Sequence, residues 1–452
     1  MQLEPPTSPP ALPAPGSKWR QGVTGMKGAL ASNLTKAREH NAAFLFTGAS
    51  LMVSVGGIVA ATFTMRWIAP EDLGHWRVAR TVLPFAMLML AGINNGLSRD
   101  LPYFFGKSDT KTAHRLAGTS QFFVVMAGLL VLLGGIACLI FWRESGSKQL
   151  LTIAAVTGLV VASFYTNYLI VTFRSAKSFR DFSKIKLGEA FLTVATIPLM
   201  AYFSYAGMVT RTLILSGVVL LLMHWLRPVR VRPAWDTESF WLLMKTGAPI
   251  FVFDYLSSNV ANSDTWVLAY LGGQKAVGYF ALATMAREAI GKVPEALGEY
   301  IYPRMSHSYG EHHDPIRLWR MAVKSSLLVV AFMVPAVAAG WFLLPPFVTH
   351  FFPKYLAAVQ AAQWIMVGSI FGAATLGKMA LWSMKDWKNM ARYQVLNCVF
   401  VFLGPAVGGC LGGDYLIGVS QGIVISQVLW IPVAGYLVYR ATHRNPPAPL
   451  VA

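Results

Sequence analysis

Between Ala42 and Arg440 the chain is an almost continuous series of apolar runs. Each is close to the ~20 residues an α-helix needs to cross a hydrocarbon core. With no water there to satisfy backbone N–H and C=O groups, such runs can only become helices, so the pattern predicts an all-α integral membrane protein. The expected crossings are 42–67, 77–98, 115–141, 148–173, 183–205, 208–227, 240–271, 276–302, 318–343, 355–384, 388–411 and 415–440. The seventh is longer than one crossing requires, and Gly247-Ala248-Pro249 marks an expected kink within it. Of the 452 residues 55% are hydrophobic and 13% charged, which excludes a soluble globular domain.

The net charge of +18 does not indicate nucleic acid, because the basic residues fall in small groups between apolar runs and no nucleic-acid module is recognisable. Loops and tails on one side carry 27 Lys and Arg, against seven on the other: Arg66, Arg77, Arg143, Lys148, Arg211, Lys275 and Lys354. Both termini are therefore expected in the cytoplasm. Only Arg80, Arg287, Lys292 and Lys378 then remain within helices. Cysteine labels at Ser108 and Ser178 should react only after the membrane is opened, and labels near Gly146 and Gly273 in intact spheroplasts. Labelling of Ser178 from outside would reverse the orientation. The Pro-rich first 16 residues lack the apolar core of a secretory signal, and Cys138, Cys398 and Cys410 lie in apolar runs as packing residues.

The two halves echo each other. Pro70-Glu71-Asp72-Leu73-Gly74-His75-Trp76 precedes the second crossing as Gln274-Lys275-Ala276-Val277-Gly278-Tyr279-Phe280 precedes the eighth, with Gly74 and Gly278 204 residues apart. Gly106 and Gly310 share that separation, and Lys177-Ser178-Phe179-Arg180 returns as Lys385-Asp386-Trp387-Lys388. Six crossings intervene, so the halves keep one orientation and relate by an axis along the membrane normal. The expected organisation is a Pro-rich basic tail (1–41), an N-terminal six-helix bundle (42–227), a basic linker (228–239), a C-terminal six-helix bundle (240–441) and a short tail (442–452).

Charges inside the crossings mark the candidate site. Glu288, Lys292, Glu295 and Glu299 recur at i, i+4, i+7 and i+11, a stripe on which each can pair with the next. Arg287 lies off it, and either points at an anionic ligand or pairs with an acid on a neighbouring helix. The seventh run carries Asp254, Ser258, Asn262 and Thr265 on one helical face, with Asn259 and Asp264 beside it. Together with Arg80 and Arg287, that face predicts a cavity between the halves holding both signs of charge. The alternatives are interhelical hydrogen bonding for the polar face and snorkelling for Arg80. Glu189 is expected to pair with Lys184 or Lys186.

Enzyme and metal motifs are accidental here. Gly418-Val419-Ser420-Gln421-Gly422 fits a nucleophile elbow by letter but lies inside the twelfth crossing. His312-His313-Asp314 reads as a solvated loop cluster, so no metal or resident cofactor is expected.

The loops Pro70-Glu71-Asp72-Leu73-Gly74 and Lys275-Ala276-Val277-Gly278-Tyr279, with Phe352-Pro353-Lys354-Tyr355 before the tenth crossing, resemble the polysaccharide branch of the multidrug/oligosaccharidyl-lipid/polysaccharide (MOP) superfamily. Within it the chain is similar to Wzx-type lipid-linked oligosaccharide flippases over about residues 42–440. The resemblance implies two six-helix bundles forming a V around a central cavity, and no enzymatic activity. It implies an inner-membrane carrier of undecaprenyl-pyrophosphate-linked oligosaccharide for exopolysaccharide, capsule or O-antigen synthesis, working beside a polysaccharide polymerase and export complex among the membrane lipids.

On that reading Arg287, Arg80 and Lys292 are the pyrophosphate candidates, since arginine binds phosphate oxygens bidentately. Related lipid II flippases also carry an arginine on helix one, whereas here no charge lies between Ala42 and Met65. Tyr255, Ser257, Ser258, Asn259, Asn262 and Trp266 are candidates for the glycan and cavity lining. Asp254, Asp264 and Glu288 are candidates for proton or sodium coupling. The rival readings are an ion-coupled multidrug extruder, whose cationic substrates favour an acidic cavity, and a membrane-embedded glycan polymerase or ligase, which would need a larger external loop.

Overall fold

The computed structural model describes residues 45–444 except 145, 261, 313, 376 and 385; for several helical residues, among them Asp254, Ser257, Ser258, Asn259, Glu295 and Glu299, the description stops at the backbone. The 1–41 tail, the last eight residues and His313 lie outside the described residues. Among those described, every regular element is helical.

Helix α1 (Leu45–Trp67) is the first crossing. The second is broken into α2 (Pro70–Arg80), α3 (Val82–Ala86), a 3₁₀ turn (Met87–Leu90) and α4 (Ile93–Gly106), bent by 57° where Ala91 and Gly92 adopt positive φ. Helices α5 (Thr110–Phe141) and α6 (Ser147–Ser175) follow. Helices α7 (Phe179–Ala195) and α8 (Pro198–Trp225) make the fifth and sixth crossings, with the reversal at Ser204 inside α8 (φ 48°, ψ −122°). Eight residues of straight helix span about 12 Å, yet a β-carbon on Gly207 would stand 1.8 Å from the Leu199 carbonyl oxygen. The seventh crossing is α9 (Thr237–Val260) plus α10 (Ser263–Tyr279) up to Gly273, where φ of 66° turns the chain into the eighth, α11 (Ala281–His312). Then come α12 (Pro315–Phe351), a tenth crossing made of a 3₁₀ turn (Pro353–Ala358), α13 (Val359–Ala373) and α14 (Lys378–Ser383), and finally α15 (Trp387–Leu411) and α16 (Tyr415–His443).

Among the described residues, eight helices are each long and apolar enough to span a membrane, and the bent α2–α4 pair adds a ninth. The interrupted segments supply the rest of about twelve crossings, as expected. Helix starts follow local chemistry: Asp109, Asp314, Asp386 and Asp414 each cap a helix by accepting a backbone N–H. Large apolar side chains such as Tyr202, Phe203 and Leu411 are mostly exposed on the outside, the face a bilayer covers.

Two expectations change. Helix two begins at Pro70 rather than 77, because proline fits the first helical turn and Glu71 and Asp72 complement its dipole. Arg77, expected in a loop, is therefore helical. In the seventh crossing Pro249 is accommodated inside α9, and the break falls instead between Val260 and Ser263. The regular helical register assumed from 254 to 265 is therefore interrupted.

The second crossing is pinned to the C-terminal half at two points. At one end Gly74 and Gly278 meet reciprocally: a β-carbon on Gly74 would lie 1.7 Å from Gln274 O, and one on Gly278 would lie 1.7 Å from Pro70 O. Pro70 and Gln274 are repeat equivalents, so this is a quasi-two-fold contact, self-complementary like the interface of a symmetric dimer. Toward the other end, a β-carbon on Gly96 would lie 2.2 Å from Leu243 O and one on Gly247 2.1 Å from Gly92 O. Glycines also seat α15 on α16, where Gly408 and Gly418 meet backbone to backbone, and so do Gly404 and Gly422. The nucleophile-elbow letters around Ser420 are thus a packing seam. The linker crosses the end of α5, where Arg115 meets Asp236 at 3.2 Å and Glu238 at 3.1 Å. Hydrogen bonds from Ser239 hold the Asp236 carboxyl below its usual range.

Candidate functional site

Between the two pins on the second crossing lies a cavity of about 640 Å³. Arg77, Arg80, Thr81, Leu83 and Pro84 line it from α2 and α3, and Asn262, Ser263, Asp264 and Thr265 from the first turn of α10. Thr284, Arg287 and Glu288 face it from α11, while α15 and α16 close it with Val401, Pro405, Ile423, Ser426 and Gln427. The repeat is visible here too. Arg80 and Thr284, Leu83 and Arg287, and Pro84 and Glu288 are each 204 positions apart, and all six line the cavity. Equivalent positions therefore face one space, with different chemistry from each half.

Among the described residues three arginines oppose two carboxylates, a formal charge of +1. Arg77 reaches across the halves, donating from Nη2 to Thr284 Oγ1 at 2.8 Å. Arg287 Nη2 lies 2.8 Å from Asp264 Oδ2. The Asp264 side chain is only 4% exposed, against 34% for Arg287. Its Oδ1 accepts from Thr265 N at 2.6 Å, as suits an acid in a first helical turn. Oδ2 has no aligned hydrogen bond, so its contact with Arg287 is a close ion pair only. Arg80 makes no hydrogen bond or ion pair with any other described residue. Gln427 Oε1 is buried without a donor.

The structure thus resolves the alternatives for Arg287: it pairs with Asp264 and is not free of acids. Arg80 lines the cavity rather than snorkelling. Lys292 is outside the lining, because four residues carry it about one helical turn beyond Glu288 along α11. Of the other expected lining residues whose side chains are described, Asn262 lines the cavity and Tyr255 and Trp266 do not. Trp266 stacks on Phe85 with centroids 5.5 Å apart, and Tyr255 packs its ring against Phe251. The side chains of Asp254, Ser257, Ser258 and Asn259, and of Glu295 and Glu299 on the α11 stripe, lie outside the described residues. Glu189 pairs with Lys186 at 2.7 Å, as expected.

Sequence reading missed Arg77 and Gln427. Arg77 stands three residues before Arg80, a helical spacing that signals a shared face once the helix is known to begin at Pro70. Gln427 carries no charge in an apolar run, and only the packing reveals it. No group of His, Cys, Asp and Glu among the described residues could hold a metal ion.

Residues 64–360 match the model of a family described as "Polysaccharide biosynthesis protein". The chain belongs to this family. Its fold is that of the MOP superfamily. An inward-facing multidrug resistance MATE transporter of the MOP superfamily superposes with a TM-score of 0.64 at 15% identity, covering 88% of this chain and 98% of that one. The lipid II flippase MurJ, in an inward closed conformation, gives 0.66 at 12% identity over 88% and 87%. A MOP superfamily transporter from Pyrococcus furiosus, described as having a binding pocket of reverse polarity, gives 0.57 at 16% identity over 88% and 95%. No curated protein matches the sequence. Family, fold and apolar helices make this chain a multi-pass membrane protein of the polysaccharide biosynthesis family with the fold of MOP transporters.

Proposed function

We propose that this protein carries undecaprenyl-pyrophosphate-linked oligosaccharide units from the inner to the outer leaflet of the cytoplasmic membrane, for exopolysaccharide, capsule or O-antigen assembly. The observation that carries the reading is the cavity with Arg77, Arg80 and Arg287 between the halves. A pyrophosphate cannot enter hydrocarbon unaided, and guanidinium forks in a partly dehydrated site replace its lost hydration with charged hydrogen bonds. Asn262, Thr81 and Gln427 offer partners for sugar hydroxyls. The prenyl chain stays in lipid beside the two six-helix halves, which alternate in opening to each side. Both termini then lie in the cytoplasm, and a polymerase and export complex would receive the product. A proton or sodium ion is taken up during the cycle at Asp264 or Glu288.

A multidrug extruder would need the opposite balance of charge. The test is binding to purified protein in nanodiscs. Geranylgeranyl pyrophosphate should bind at least about tenfold more tightly than geranylgeraniol, the worth of one charged hydrogen bond, and a lipophilic cation should not compete. Equal binding of alcohol and pyrophosphate, or displacement by the cation, would reject the reading.

A further inference from the structure

We propose that Asp264 stands in for the substrate's anion in the empty carrier, so that the substrate enters by displacing Asp264 from Arg287 and one proton is taken up by Asp264 at the same time. The inference rests on the anion site proposed above and assigns its coupling: proton and substrate bind together, not in exchange.

The geometry sets the sign. Asp264 Oδ1 is held by Thr265 through both its backbone N–H and its hydroxyl, at 2.6 and 3.2 Å. Oδ2 pairs with Arg287 at 2.8 Å and receives no aligned hydrogen bond from a described residue, while the Arg77 guanidinium acts on the same carboxylate through space. A pyrophosphate that takes the Arg287 fork leaves Oδ2 buried, charged and unpartnered, a state buried carboxylates avoid by taking a proton. That proton comes from water and forms an O–H bond at Oδ2, leaving the carboxyl neutral. Among the described residues the lining carries Arg77, Arg80 and Arg287 against Asp264 and Glu288, so a multiply charged anion turns their total negative, and neutralising one carboxylate offsets part of that excess.

Among the described residues these are the charged groups of the lining, and α15 and α16 add only Val401, Pro405, Ile423, Ser426 and Gln427. Glu288 is exposed and keeps its hydration, whereas Asp264 is 3% exposed, which is why the proton goes to Asp264. By linkage the proton strengthens substrate binding as much as the substrate strengthens proton binding.

Wild-type protein is titrated with geranylgeranyl pyrophosphate at a pH where the probe is fully ionised, by calorimetry in buffers of different ionisation enthalpy. About one proton should be taken up per probe bound, with affinity falling up to about tenfold per pH unit as pH rises. Asp264→Asn should bind the probe with no uptake and a flat pH profile, while Asp181→Asn, at a carboxylate 40% exposed and paired with Lys184 on α7, behaves as wild type. Binding without proton uptake by the wild type, or unchanged uptake in Asp264→Asn, would overturn the coupling and leave the anion site standing. Absence of any binding would remove the anion site and the coupling together.

Discussion

Gly278→Ala is expected to lower the unfolding temperature of the solubilised protein sharply, although alanine favours a helix over glycine by about 1 kcal/mol. The new β-carbon would stand 1.7 Å from the Pro70 carbonyl oxygen and 2.5 Å from its carbon. Overpacking costs typically about 1–3 kcal/mol when side chains can adjust. Here backbone meets backbone and no rotamer relieves the clash, so the cost should reach or exceed the top of that range. Gly74→Ala should behave alike, because its β-carbon would meet Gln274 O at the same distance. The double variant should cost little more than either single one, since the first substitution already parts the helices. Gly57→Ala, with nothing within 4 Å, is the control that should melt like wild type or slightly higher. Wild-type melting of Gly74→Ala and Gly278→Ala would mean that the second and eighth crossings do not touch at this point.

Arg77→Ala should weaken prenyl pyrophosphate binding by about ten- to a hundred-fold, the 1.5–3 kcal/mol of one charged hydrogen bond. It is a cleaner probe than Arg287→Ala, which also strands the buried Asp264 and so mixes lost recognition with lost stability. Loss of Arg77 leaves the Thr284 hydroxyl able to donate to Phe280 O at 3.2 Å, and Asp264, which also feels the Arg77 charge, keeps its ion pair with Arg287. Arg287→Lys should fail nearly as badly as Arg287→Ala in binding, because an ammonium supplies charge without the planar fork. Lys292→Gln should bind the probe as wild type, given that Lys292 lies outside the cavity lining. Normal binding by Arg77→Ala, or a loss in Lys292→Gln as large as that in Arg287→Lys, would move the anion site elsewhere on α11.

How far the sequence discloses this arrangement depends on the kind of signal. Apolar length and the rarity of charge make the crossings legible, and the 204-residue echo of Gly74 in Gly278 marks the positions where the halves touch. Arg80, Asp264 and Arg287 stand out because an ionisable group within a crossing is costly unless it faces a partner or a cavity. Which of them meet is a matter of helix packing, so the Asp264–Arg287 pair is absent from any local pattern. Arg77 was hidden by an error of helix boundary, since Pro70 starts a helix instead of ending a loop. The polar face counted from Asp254 to Thr265 assumed 3.6 residues per turn through a segment where the chain breaks at 260–263. Gln427 matters through its unpaired oxygen and its place beside the cavity, neither of which composition records.

The most direct measurement follows the substrate across the bilayer. In a strain lacking the native gene, lipid-linked oligosaccharide is assayed for access from outside in spheroplasts carrying wild type or the Arg77→Ala, Arg287→Lys double variant at equal membrane abundance. The account predicts that wild type places the lipid-linked sugar in the outer leaflet and the double variant leaves it in the inner one. Equal outer-leaflet appearance with both proteins would contradict a role for the arginine cavity in carrying the pyrophosphate head.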